Sequence, residues 1–144
     1  MSIKQISVFI ENKPGVLYAL TGVLGQNGVD MRAFTLSETS DFGIARIIVD
    51  DVYKASTTLK DAGYVHSISD VLGVVIPDSP GGLNRVLQAL TDAQVNVEYM
   101  YVFLGHKTTG SAYMIFKVAD NAAASDALAA RGIRTVEQGE LEKL

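Results

Sequence analysis

The apolar positions of this chain change period at regular places. Ile6, Val8 and Ile10 alternate with Ser7 and Phe9, the two-residue period of a strand. Past the loop Asn12-Lys13-Pro14-Gly15, the residues Val16, Leu17, Leu20, Val23 and Leu24 recur at three and four positions, the stripe of a helix with one buried face. Gly25 and Gly28 bracket its end, where a left-handed residue is commonly needed. Residues 29–36 predict a second strand, Glu38-Thr39-Ser40-Asp41 a turn, and residues 43–49 a third strand. Asp50-Asp51 suits the start of a second helix over residues 52–62, with Val52, Ala55, Leu59 and Ala62 facing inward. Gly63 stops that helix, and a fourth strand begins near Val65. The order is βαββαβ.

The same order then repeats. Residues 72–76 form a strand, Asp78-Ser79-Pro80-Gly81-Gly82-Leu83 occupies the place of Asn12 to Leu17, and Leu83, Val86, Leu87, Leu90 and Ala93 line a helix. Leu17, Leu20 and Leu24 fall on Leu83, Val86 and Leu90 at a spacing of 66, which drifts to 69 where Leu59 and Gly63 meet Leu128 and Gly132. Residues 97–104 and 112–118 predict a strand pair joined by the turn His106-Lys107-Thr108-Thr109-Gly110. An alanine-rich helix over 122–130, a last strand over 135–138 and a charged tail over 140–144 complete the second copy. No linker separates the copies, because the strand from Val65 runs directly into Leu72. The predicted domains are therefore 1–70 and 71–144. Each is near the lower size limit for a self-sufficient core, so the two are expected to pack on each other as an intimate pair.

Each βαββαβ unit predicts an α+β fold of ferredoxin-like type, two helices on one face of an antiparallel sheet with strand order 4-1-3-2. The fold alone does not choose a function. With 144 residues, 48% hydrophobic and 19% charged, the chain has the make-up of a globular protein. Its 12 basic and 16 acidic residues are scattered, so no basic stripe suggests a nucleic-acid partner. The absence of cysteine excludes disulfides and thiol chemistry. The N-terminal residues do not read as a signal peptide, and the apolar runs fall far short of a membrane span, so a cytoplasmic location is expected.

Catalytic constellations are missing. His66 and His106 lie far apart without carboxylates at ligand spacing, and each reads as a structural or surface histidine. No nucleotide-binding glycine loop or hydrolase elbow occurs, and no cofactor is implied. Tyr99, Tyr101 and Phe103 alternate on one strand face but lack the basic residues of an RNA-binding sheet, so packing against a helix or another sheet is expected. A phosphatase of this fold would need an arginine in the first loop, where residue 13 is Lys and residue 79 is Ser. The chain is expected not to be an enzyme.

The repeated loop is what remains. A helix N-terminus offers unpaired N–H groups and partial positive charge, a seat for a carboxylate. Gly15, Gly81 and Gly82 remove side chains there. Asn12 offers a donor and an acceptor, whereas ionised Asp78 offers only acceptors. Together these suit the two ends of a free α-amino acid. The same residues also have a purely local reading, with Pro14 in the first helical turn, Ser79-Pro80 as an N-cap and N1 pair, and Asn12 in an Asx-type turn.

The pattern strand, Asn/Asp-x-Pro-Gly-Val/Gly-Leu, helix, then Gly-Val-Asp or Gln-Val-Asn before the next strand resembles the ACT domain family over nearly the whole chain. The resemblance implies a tandem pair of amino-acid-sensing modules packed side by side, with effectors bound where the first loop of one module meets the second strand of the other. On that implication Asn12, Lys13, Pro14, Gly15, Val16 and Leu17 would face Asn96 and Val97. Asp78, Ser79, Pro80, Gly81, Gly82 and Leu83 would face Asp30 and Met31. The Asn12/Asn96 pair is the preferred site, since Asp78 and Asp30 would repel a carboxylate and Gly82 replaces the usual apolar residue. The implied partners are a free amino acid and a separate metabolic enzyme or regulator, and an exposed edge strand would invite a homo-oligomer. The alternative is a regulatory or interaction subunit that binds no ligand.

Overall fold

The computed structural model describes residues 2–103 and 111–143, the side chain of residue 142 excepted. His106, the turn predicted around it and the predicted strand end at Leu104 lie outside the described residues.

The chain divides into two compact units, Lys4–Ser69 and Asp70–Leu144, the latter joined by Met1–Ile3. In the first, β1 (Ile3–Glu11), α1 (Val16–Gln26), β2 (Met31–Glu38), β3 (Phe42–Val49), α2 (Val52–Asp61) and the start of β4 (His66–Pro77) follow in order. β3 lies antiparallel between β1 and β2, and the amide of Phe9 donates to the carbonyl of Val65 on the other flank of β1. This is the expected order 4-1-3-2. Ile6, Val8 and Ile10 of β1, Ala45, Ile47 and Val49 of β3, Leu20 and Leu24 of α1, and Ala55 and Leu59 of α2 form one buried core. Each fully buried branched side chain contributes about 1.5–3 kcal/mol.

The second unit holds the rest of β4 with α3 (Gly82–Asp92), β5 (Val97–Val102), β6 (Ser111–Val118), α4 (Asn121–Ala129), β7 (Thr135–Val136) and α5 (Gln138–Lys143). Its strands run β7-β4-β6-β5, the same order again. Leu72, Val74 and Ile76 meet Val86 and Leu90 of α3 and Ala124 and Leu128 of α4 on the helical face.

Some expectations at the ends of elements need correction. Ala62 and Ala93 were assigned to buried stripes, yet both are exposed C-caps, one position past the last helical turn. The end of α1 is bracketed as expected, with Gly25 just before its last residue, Gln26, and Gly28, at φ of 71°, the left-handed residue that follows. Residue 138 belongs to a helix, because β7 ends at Val136, and most of the predicted charged tail is α5. Leu141 of that helix is fully buried and lines one small internal gap with Ile3, Phe103, Tyr113 and Val136. Tyr101 and Phe103 are buried and Phe103 packs on Tyr113, with ring centroids 6.2 Å apart.

Candidate functional site

The four long helices begin in two different ways. α2 and α4 follow β3 and β6, and each is capped by an aspartate. Asp51 accepts from the amide of Lys54, and Asp120 accepts from the amide of Ala123. α1 and α3 follow the repeated loop, and each starts after a left-handed glycine, Gly15 at φ 86° and Gly81 at φ 83°, with no side-chain cap. A side chain with an oxygen at the N-cap satisfies one of the orphan amides of a helix. The repeated loop withholds that oxygen twice, while the other helix of each unit has it. Both N-termini thus keep backbone N–H groups directed at whatever occupies the loop.

The loop geometry revises part of the local reading. Pro14 stands two residues ahead of α1 in a turn closed by the Val16 amide and Lys13 carbonyl, so it is not in the first helical turn. Ser79 and Pro80 likewise precede the cap, with the Gly82 amide donating to the Ser79 carbonyl. Asn12 is exposed, and its side-chain amide donates to the Thr39 carbonyl at 3.0 Å while its backbone amide donates to Asp41. In both bonds Asn12 donates, which leaves its side-chain amide oxygen as an acceptor. Lys13 pairs with Glu11 at 2.9 Å, both well exposed. A Cβ at Gly15 or Gly81 would meet nothing within 4 Å, so these glycines serve the backbone turn and leave open space beside it. A Cβ at Gly82 would fall 2.2 Å from the Pro77 carbonyl oxygen. Gly82 departs from the first loop's Val16 because the backbone packs there.

Val16, Leu17 and Met31 pack against the first core, and Leu83 and Val97 against the second, so these five offer a ligand chiefly their main chain. Asp30 is held at both ends. Its backbone amide donates to Asp50, its carbonyl accepts from the Asp50 amide, and its carboxylate pairs with Arg32 at 3.0 Å. The acid expected to repel a carboxylate ligand therefore has a cation beside it. Asp78 and Asn96 are exposed.

Within one unit, the loop before the first helix and the start of the second strand, which belong to different predicted sites, lie at opposite ends of the sheet. Ile10, next to the first loop, is opposite Gly43, whereas Met31 is opposite Val49. Six residues of β3 separate those rungs, about 20 Å at the rise of an antiparallel strand. In the second unit, Pro77 is opposite Ser111 and Val97 is opposite Val118. No unit by itself brings its own loop to its own second strand.

His66 is a satisfied structural histidine. Its Nε2 lies 2.8 Å from the Ser56 hydroxyl and its Nδ1 3.2 Å from the Tyr64 carbonyl, which makes Nδ1 the protonated nitrogen. Among the described residues no cluster of acids and histidines could hold a metal, and no helix is long and apolar enough to cross a membrane.

The model of the family described as ACT domain pair matches residues 1–144. None of the curated proteins matches the sequence. Among solved structures, protein BT0572 from Bacteroides thetaiotaomicron is 34% identical, with a TM-score of 0.92 over 100% of this chain and 98% of that one. The regulatory subunit of aspartate kinase from Thermus thermophilus, in its ligand-free form, superposes with a TM-score of 0.66 over 88% of this chain and 91% of its own, at 17% identity. Its counterpart from Thermus flavus gives 0.61 over 88% and 90%, also at 17%. At that identity these two share the fold.

Proposed function

Since this chain belongs to the ACT domain pair family, we propose that it is a sensor that binds a free amino acid where the first loop of one module meets the second strand of another. The modules are those of residues 1–70 and 71–144. The observation that carries this reading is the pair of uncapped helix N-termini on Gly15 and Gly81, beside helices capped by Asp51 and Asp120. The N–H groups would take the carboxylate, and the Asn12 and Asn96 side chains the ammonium. Because each unit holds its two half-sites at opposite ends, the pocket must be completed from outside the unit. No catalytic role is assigned. The output passes by contact to a separate metabolic enzyme or regulator in the cytoplasm, and only as far as the ligand prefers one state of the protein.

Thermal unfolding against each of the twenty amino acids tests this. A ligand at a hundred times its dissociation constant adds about 2.7 kcal/mol to the folded state. A raised midpoint from one amino acid or a related few, abolished by Asn96→Ala, is the expected result. Loss with Asp30→Ala or Asp78→Ala instead would move the site to the second pair.

One observation favours the interaction-subunit reading. Phe9, Leu36 and Phe42 are 47%, 43% and 64% exposed, and Phe9 and Phe42 line an apolar groove of about 250 Å³ at one end of the first sheet. Such a surface suits a protein partner or a second copy. The absence of a midpoint shift with all twenty amino acids would make this the better reading.

A further inference from the structure

The second unit contains a cleft rich in arginine. It opens between α3 and the segment joining α4 to β7, has a volume of about 530 Å³, and is lined by Arg85, Arg131 and Arg134. The chain has five arginines, so most of them meet at this one place. Val75, Ile133 and Ser111 also line it, and among the described residues no acid does.

The repeat shows that the fold does not demand these cations. Gly15 matches Gly81 and Gly63 matches Gly132, each pair sharing positive φ, so Arg85, Arg131 and Arg134 stand where the first module has Ala19, Ala62 and Val65. Two of the three are oriented from outside the cleft. Arg131 pairs with Asp92 at 2.5 Å and Arg134 with Glu140 at 2.6 Å. Each pair engages one edge of a guanidinium that carries five donors, leaving others for a ligand. Among the described residues no acid pairs with Arg85, which is exposed on α3.

The geometry points to a further binding site for a small phosphorylated metabolite, distinct from the preferred Asn12/Asn96 site and bordered by Pro77 and Gly82 beside the second loop. The volume is that of a small-molecule pocket. Arg85 brings a positive charge without an acid partner among the described residues, the remaining N–H donors of Arg131 and Arg134 add to it, and the planar forks of all three match the oxygens of a phosphoryl group. The apolar wall at Val75 and Ile133 would cover the uncharged part of the ligand.

Calorimetry with inorganic pyrophosphate at fixed ionic strength tests the site on the full chain. One pyrophosphate should bind per chain, and Arg85→Ala should weaken binding at least about tenfold, or about 1.4 kcal/mol. Arg85→Lys should recover part of it, and Lys60→Ala, in the first unit, should change nothing. Arg85 is exposed, so its removal leaves the fold intact, which circular dichroism would verify. Succinate binding more tightly than pyrophosphate would overturn the phosphoryl assignment. Non-saturable binding, or equal binding by the Arg85→Ala and Lys60→Ala proteins, would overturn the site. Neither outcome bears on the amino-acid site, whose readout is the Asn96→Ala protein.

Discussion

At the scale of the residue, the glycines separate by what a methyl group would meet. Gly22 sits inside α1 with nothing within 4 Å of its missing Cβ. Gly22→Ala should therefore stabilise the protein by about 0.5–1 kcal/mol, the backbone entropy that glycine forfeits in a helix. Gly82→Ala should do the opposite. Its Cβ would lie 2.2 Å from the Pro77 carbonyl, an atom that moves only with the backbone, and the cost of such overpacking is about 1–3 kcal/mol. Midpoints of urea unfolding for the two variants check both signs. This packing reason for Gly82, the first residue of α3, is not legible in the sequence, because a contact between a helix start and the strand before it depends on the path of the backbone. Pro14 and Ser79-Pro80 were misplaced for a similar reason. They have the residue types of a helix start, but the left-handed glycine that follows them delays the helix to Val16 and Gly82.

At the scale of the element, periodic segments were readable and short ones were not. α1 and α3 carry stripes long enough to reveal both type and buried face, and Leu20, Leu24, Val86 and Leu90 are buried as that pattern requires. α5 spans six residues with one buried apolar side chain, Leu141, and a single anchor sets no period. Its hold on the unit includes an ion pair. The Arg134 guanidinium holds the Glu140 carboxyl below its ordinary range, helped by the backbone amide of Glu137. A carboxyl depressed in the folded state adds stability above its unfolded pKa and loses it as the pH falls through the folded one. The contribution of this exposed pair is therefore present at neutral pH and fades below about pH 4.5. Exposure keeps it small, within the range of about 0–1 kcal/mol for surface pairs. Protection factors of the α5 amides, each taken relative to the intrinsic exchange rate at that pH, should fall on acidification through that window. In Glu140→Gln the protection should already be lower at pH 7 and change less with pH.

At the scale of the whole molecule, the repeat was the most legible feature, because sixty-odd residues of matched periodicity outweigh any single motif. It also frames the remaining question, which is how half-sites at opposite ends of each sheet become pockets. The proposed pairing joins Asn12 with Asn96 and Asp30 with Asp78. A double-mutant cycle on effector affinity can test it without presuming the arrangement of the modules. Residues that hold one ligand together show coupling of about 0.5–3 kcal/mol, whereas distant sites add within about 0.3–0.5 kcal/mol. Asn12→Ala and Asn96→Ala should therefore be strongly non-additive, and Asn96→Ala with Asp30→Ala additive. Asn12→Ala also removes the hydrogen bond to Thr39, so a Thr39 control is needed to separate loop damage from ligand loss. That bond lies within the first unit, so it cannot by itself produce coupling to Asn96 in the second. Coupling between the two asparagines would show that one ligand reads both modules. Additivity there, with coupling between Asn12 and Asp30, would require loop and strand of the same unit to serve one ligand. The rungs of β3 hold those two about 20 Å apart, too far for a single amino acid to span within one unit. That outcome would thus implicate a second copy of the chain, and sedimentation with and without effector would decide it.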